Sequence, residues 1–340
     1  MKSIREVINE VLHAEMARDE AIVVLGEDVA GGMTTEGAGG FGGAFGFYSG
    51  LYERFGSERV IDCPISEASF VGAAVGAAMT GLRPVIDLQF FDFMTVCYDQ
   101  LANQMAKLRY MTGGQFKLPL VMISLVGAGL RAGAQHSQSL HPPVVALPGL
   151  KVVTAADAYD AKGLLSAAIR DDDPVIFLLH KTLLEEKAEV PEEDYQIPFG
   201  EARFLAEGDD VTVVATLAMR RKAEAACARL AAEAGIAADL IDPRTLSPLD
   251  VEAIAESVEV TGRLLIVDES TPCCGIAQEI ASAVAQHCFE WLRAPIRVLS
   301  TPFTPVPFSP ALEDLYLPTE RQIENSVRAL LADESASVLR

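Results

Sequence analysis

The chain has 340 residues, half of them hydrophobic, which is enough for a large core and is the length of two domains rather than one. Its formal net charge is −21. That balance excludes the basic face that nucleic acid or an anionic membrane surface requires, and it suits a basic protein partner.

At the N-terminus, Ser3 and Glu6 have capping-box spacing, and Ile4, Val7, Ile8, Val11 and Leu12 form one apolar stripe. This predicts a helix in place of a secretory leader. Short apolar runs then alternate with helical patterns. The predicted strands are AIVVL (21–25), RVID (59–62), RPVIDL (83–88), LPLVMISL (118–125), LKVVTA (150–155) and PVIFLL (174–179). A second set follows in DVTVVAT (210–216), AADLID (237–242), RLLIVD (263–268) and PIRVLS (295–300). Most are continuous hydrophobic runs, as expected of strands buried on both faces of a parallel sheet, so the predicted fold class is doubly wound α/β. Between the two sets, LLEEKAEVPEEDYQIPFGEA (183–202) has two prolines, many acids and no core-forming period. It reads as a linker or exposed crossover, with a boundary near 190 and domains of 1–190 and 191–340. Arg321 to Leu331 resumes a helical pattern that closes the second domain.

Within this frame, four segments carry candidate chemistry. GGMTTEGAGGFGGAFG (31–46) contains Gly37, Gly39 and Gly42 in dinucleotide-fingerprint spacing, but about a dozen residues beyond the strand ending at Leu25, so it reads as a loop. DCPISEASFVGAAVGAAMTG (62–81) predicts a helix over Ala68–Thr80, N-capped by Ser66, with Gly72 and Gly76 forming a shallow groove. At its head, Glu67 is either an acid favoured by the helix dipole or a carboxylate in a dry crevice that exchanges a proton with a bound cofactor. FFDFMTVCYDQLANQMAKLRYMTGG (90–114) predicts one long helix entered through three aromatics, which serve as core or as a stacking face. GAGLRAGAQHSQSLHPP (127–143) follows a strand, where α/β folds bind ligands; His136 there either donates a proton or holds the loop by hydrogen bonds.

Several self-sufficient sites are absent. There is no P-loop lysine motif, no GxSxG elbow and no zinc-ligand spacing among the five histidines. The six cysteines include no CxxC pair and read as reduced thiols of a cytoplasmic protein; Cys273 and Cys274 are adjacent, which is poor geometry for a bond between them.

PISEASFVGAAVGAAMTGLRP, DQLANQMAKLRYMTGG, GAQHSQS, PGLKVV, DAKGLLSAAIRDDDPV and TPVPFSPALEDLYLP together resemble the beta subunit of the thiamin-diphosphate-dependent component of acetoin and 2-oxo acid dehydrogenase complexes. GEDVAGG, VGAGLRAGAQHSQ, HKTLLEEKAEVPEE, IPFGEA and VEVTGRLLIVDES are most similar to the acetoin branch. The resemblance implies a thiamin-pyrimidine-binding domain and a transketolase-type C-terminal domain in an alpha2beta2 heterotetramer. It implies cleavage of acetoin beside its carbonyl and transfer of the two-carbon unit to a lipoyl group of a separate acyltransferase. Oxidative decarboxylation of pyruvate or a branched-chain 2-oxo acid is the near alternative; a non-catalytic scaffold and an NAD-binding dehydrogenase are remote ones.

The same resemblance assigns roles. Glu67 matches the glutamate that hydrogen-bonds the 1′ nitrogen of the aminopyrimidine, Phe93 the aromatic packed on that ring, and His136 the histidine near the reacting centre and lipoyl entrance. The carbonyls of Leu120, Ala168 and Ile169, with Asp171 and Asp173, resemble a structural potassium site of hard oxygen donors, although DDD (171–173) also reads as a solvated turn before Pro174. No GDG-type motif is found, so magnesium and the diphosphate fall to the alpha subunit. Two departures bear on the substrate: Ala146 stands where many relatives have His, and His141-Pro142-Pro143 replaces the usual loop sequence. The acidic surface is expected to dock a basic segment of the acyltransferase.

Overall fold

The protein is described by a computed structural model covering residues 1–31 and 42–332. The glycines at 37 and 39 therefore lie outside the described residues. Contacts divide the chain into two compact units: Met1–Val126 with Pro143–Pro198, and Gly127–Pro142 with the chain from Phe199 onward.

In the first unit, six strands form a parallel sheet: β1 (Ile22–Gly26), β2 (Val60–Asp62), β3 (Arg83–Phe90), β4 (Val121–Val126), β5 (Lys151–Ala155) and β6 (Val175–His180). Their order is β5-β6-β4-β3-β1-β2. All five residues of β1 and all six of β4 and β6 are buried, which is why these segments read as unbroken apolar runs. The chain leaves β1 toward β2 on one side and leaves β3 toward β4 on the other. The order reverses there, and outside the carboxyl ends of such strands lies the crevice in which open α/β sheets bind ligands.

The helix Ile4–Arg18 makes the expected capping box: the Glu6 amide donates to Ser3 Oγ (3.2 Å), and the Ser3 amide donates to the Glu6 carboxylate (2.7 Å). Its apolar stripe is fully buried, and its buried Glu15 accepts hydrogen bonds from Arg18 and from Arg170 on the helix Ala158–Arg170.

The segment 90–114 is not the single helix its pattern predicts. It forms a 3-10 turn (Phe91–Thr95), a π-helical stretch (Gln100–Met105) and one α-turn (Leu108–Met111). The backbone of Gly149 is wedged so tightly against the segment that a Cβ on it would stand 1.9 Å from the Ala106 carbonyl oxygen. The Ala106 amide bonds back five residues to Leu101 (3.0 Å) instead of four. In the predicted linker, one regular piece occurs, the pair Lys187–Ala188 with Lys2–Ser3, antiparallel.

The second unit carries a five-stranded sheet of β7 (Arg203–Ala206), β8 (Val211–Ala215), β9 (Ala238–Asp242), β10 (Leu264–Val267) and β11 (Arg297–Leu299), in the order β11-β10-β8-β9-β7. Only β7 is antiparallel, at one edge. The helices Leu217–Ala234 and Val251–Thr261 end on left-handed Gly235 and Gly262, which close their last turns. Among the described residues no helix is long and apolar enough to cross a membrane.

A candidate active site at the carboxyl ends of the first sheet

Ser66 occupies the cap position of the helix Glu67–Met79, but its hydroxyl donates to the Pro64 carbonyl (3.0 Å) and the expected side-chain cap is not made. The helix begins on Glu67, an acid in its first turn, where the helix dipole favours negative charge. Glu67 is 8% exposed, and the hydrogen bonds of the described residues include none to its carboxylate. The glycine groove is partly used within the chain: a Cβ on Gly72 would lie 3.5 Å from Gln100 Cγ, whereas Gly76 faces open space.

Other acids converge on the same edge. Glu27, immediately after β1, is held above the usual carboxylate range by burial first and then by the charges of Asp28 and Glu67. Asp87 in β3 is fully enclosed; burial pushes it up to about 7, with the neighbouring Tyr48 hydroxyl opposing and Glu27 adding like charge. The Tyr48 hydroxyl is pushed up in turn, by burial and then by Asp87. Gly43, at φ +80, brings the chain against the Tyr48 ring, and its amide donates to the Asp28 carbonyl at 3.0 Å. Neither Glu27, Asp87 nor Tyr48 is marked by a motif. The detectable signal is a lone carboxylate inside the apolar run RPVIDL.

Phe93 sits half-buried on the 3-10 turn after β3, its ring edge-on to Phe90 (centroids 6.0 Å apart, 80°), and Phe90 meets Phe45 in the same manner (5.5 Å, 76°). Lys181 Nζ lies 5.0 Å over the Phe90 ring. The Cys97 thiol donates to the Phe93 carbonyl at 3.9 Å and is pushed up to about 12 by burial first and by the Glu67 charge second, which ties the aromatic turn to the Glu67 carboxylate. The residues present in this unit fit a planar, proton-bearing heterocycle: Glu67 offers a nearly buried carboxylate and Phe93 an aromatic face.

His136 falls in the second unit, half-buried on the loop Gly127–Pro142, with its amide donating to the Gly133 carbonyl at 3.3 Å. In the same loop His141 is fully buried, its Nε2 3.3 Å from Asp268 Oδ2. Asp268 accepts from the Ser270 amide (2.9 Å) and the Thr216 hydroxyl, and its pKa lies well below the usual range despite burial, through the neighbouring His141 first and then Ser270 and Thr216.

The residues marked for potassium are engaged within the chain. The carbonyls of Leu120, Ala168 and Ile169 accept from the Val175 amide (3.0 Å), the Asp171 amide (3.3 Å) and Arg83 Nε (3.0 Å). Lys151 Nζ lies 2.6 Å from Asp171 and 3.3 Å from Asp173, and Arg109 also pairs with Asp173. Asp172 pairs with Lys117 at 2.6 Å, so the acidic turn is neutralised by this chain's own cations rather than merely solvated. Among the described residues no group of three or more His, Cys, Asp or Glu is placed to hold a metal ion. All six cysteines are free, and the exposed Cys273 and Cys274 sulfurs stand 4.0 Å apart.

Comparison with known proteins places these features in context. Residues 1–187 match the family model "Transketolase, pyrimidine binding domain", and residues 200–323 match "Transketolase, C-terminal domain". The chain is 51% identical, over 96% of each sequence, to the acetoin:2,6-dichlorophenolindophenol oxidoreductase subunit beta of Cupriavidus necator. It is 42% identical to a pyruvate dehydrogenase E1 component subunit beta of Rickettsia felis and 40% identical to a 2-oxoisovalerate dehydrogenase subunit beta of Bacillus subtilis, each over 96% of this chain and 97% of the relative. Among solved structures, a split-gene transketolase described as an inactive beta4 tetramer superposes with a TM-score of 0.74 at 26% identity, covering 98% of this chain and 99% of that one.

Proposed function

Because the chain belongs to the transketolase-type family of dehydrogenase beta subunits, we propose that it is the beta subunit of a thiamin-diphosphate-dependent acetoin dehydrogenase, active only with an alpha subunit. The observation that carries the reading is Glu67: a nearly buried carboxylate, near Glu27 at the end of β1, with no hydrogen bond from a described residue. Such a group is complementary to a ligand that brings its own proton.

Bound thiamin diphosphate supplies the carbon nucleophile and electron sink for cleavage next to a carbonyl. This chain's residues prepare it. Glu67 would hold a proton at the 1′ nitrogen of the pyrimidine. Phe93 packs against the pyrimidine face. His136 acts as a proton donor or acceptor toward the substrate, near the point where a lipoyl group enters. Magnesium and the diphosphate belong to the alpha subunit in this proposal. Potassium at the Asp171 turn would have to displace Lys151. The acceptor is a lipoyl-bearing acyltransferase, whose basic docking segment suits the net charge of −21. The division at about 190 then separates the pyrimidine-binding domain from the C-terminal domain.

Ala146 and the His141-Pro142-Pro143 sequence keep pyruvate or branched 2-oxo acids as the second reading. Reconstitution with the cognate alpha subunit and a dye acceptor distinguishes them. Faster turnover of acetoin than of pyruvate or 2-oxoisovalerate is expected; preference for a 2-oxo acid would replace the first reading by the second.

A further inference from the structure

The loop Gly127–Pro142 leaves the first sheet from β4, but the carboxylates that hold it lie far downstream in the chain. The Ala128 amide donates to Glu269 at 2.6 Å, and the Ala128 side chain packs with Val306 and Tyr316. Glu313, fully buried on the helix Pro310–Tyr316, accepts from the Gly129 amide (2.8 Å), the Arg131 amide (3.2 Å) and Arg131 Nη1 (2.7 Å). Asp314 takes the other end of the same guanidinium at 2.6 Å. Arg131 itself sits at φ +59, a left-handed conformation that a side-chain-bearing residue keeps only when its surroundings enforce it. At the other end of the loop, His141 is buried against Asp268.

A domain core does not need this arrangement. A buried carboxylate could be satisfied by its own helix or by water, yet both Glu313 oxygens are spent on the head of the loop that carries His136. We propose that Glu313 is a positioning residue for His136: by pinning the Gly129 and Arg131 amides and enforcing the strained Arg131 backbone, it sets the path of the loop. The inference rests on the reading of His136 as a group at the reacting centre. A misplacement of the order of an ångström in such a group is sufficient to slow a reaction substantially without loosening substrate binding.

The test uses the reconstituted heterotetramer carrying Glu313→Gln or Arg131→Ala. Glu313→Gln turns an amide NH2 toward one of the N–H donors; Arg131→Ala leaves the Glu313 carboxylate in place and removes only the guanidinium. Hydrogen exchange of the amides from Ala128 to Gln138 should speed up about tenfold in Glu313→Gln, with β8 and β10 protected as in the wild type, and kcat should fall about tenfold while KM moves less than about twofold. Arg131→Ala should give smaller changes of the same kind. Unchanged loop exchange, or a loosened loop with wild-type kcat, would overturn the proposal. If Glu313→Gln does not assemble, Arg131→Ala decides by the same two readouts. A wild-type assembly with no thiamin-dependent turnover would instead overturn the proposed function, and the exchange data would still decide whether Glu313 holds the loop.

Discussion

Gly26 and Asp87 face each other across adjacent parallel strands, and a Cβ on Gly26 would stand 2.7 Å from the Asp87 Cβ and 2.9 Å from the Asp87 carbonyl oxygen. There is no room for a methyl group between them, and the backbone from which Glu27 departs is set by that contact. Gly26→Ala should therefore force the two strands apart and cost about 1–3 kcal/mol. Thermal denaturation reads the loss; a melting temperature equal to that of the wild type would contradict the close approach.

Asp87 is pushed up to about 7 from an ordinary value of 3.8, chiefly by burial. Its folded-state pKa is raised, so the folded chain holds a proton that the unfolded chain has released. The stability from that proton is complete below the unfolded value, declines as pH rises and is gone above about 7. Asp87→Asn, which cannot ionise, should gain roughly 2–4 kcal/mol relative to the wild type between mildly acidic and mildly alkaline solution. Melting temperatures of the two proteins compared across that range check this. Parallel curves would show that Asp87 does not carry the proton.

The pair of Glu15 with Arg170 joins two helices of the first unit and is nearly closed to solvent on the carboxylate side, where Glu15 is 3% exposed. Glu15→Gln leaves Arg170 with a neutral partner and an exposed one, Asp194. Arg170 is partly exposed and keeps Asp194, so no buried charge is left unpaired and the loss should be about 1–3 kcal/mol. Denaturant titration measures it, and turnover per assembled enzyme should remain that of the wild type.

These elements differ in how far they can be read from sequence. Strands such as Val121–Val126 and Val175–His180 are legible because burial on both faces writes them as unbroken apolar runs. The strand Arg203–Ala206 is not, since it alternates between half-buried and exposed residues at a sheet edge. The segment 90–114 has a helical period, but its backbone is irregular, and part of it packs against Gly149, a contact that no local pattern encodes. Glu67 stands out as a charge among small apolar residues. The anchoring of the His136 loop does not, because Glu269 and Glu313 lie far beyond it in the chain. Local period and composition record burial; they do not record which distant backbone fills the space.

Phe93 is assigned a face of the cofactor ring. Phe93→Ala should raise the dissociation constant for thiamin diphosphate in the heterotetramer about tenfold, and Phe93→Leu should fall between, since aromatic packing adds about 0.5–1.5 kcal/mol beyond area burial. Fluorescence or calorimetric titration provides the measurement. Equal affinities for all three proteins would remove Phe93 from the site.

Glu67→Gln in the reconstituted heterotetramer bears most directly on the whole reading. Glutamine keeps the shape and a hydrogen bond to the pyrimidine nitrogen but cannot move a proton there, so turnover should fall by about 10²–10⁴-fold while thiamin diphosphate still binds within about tenfold of the wild-type affinity. A variant that binds the cofactor and turns over at near the wild-type rate would show that the carboxyl group of Glu67 carries no proton in the reaction.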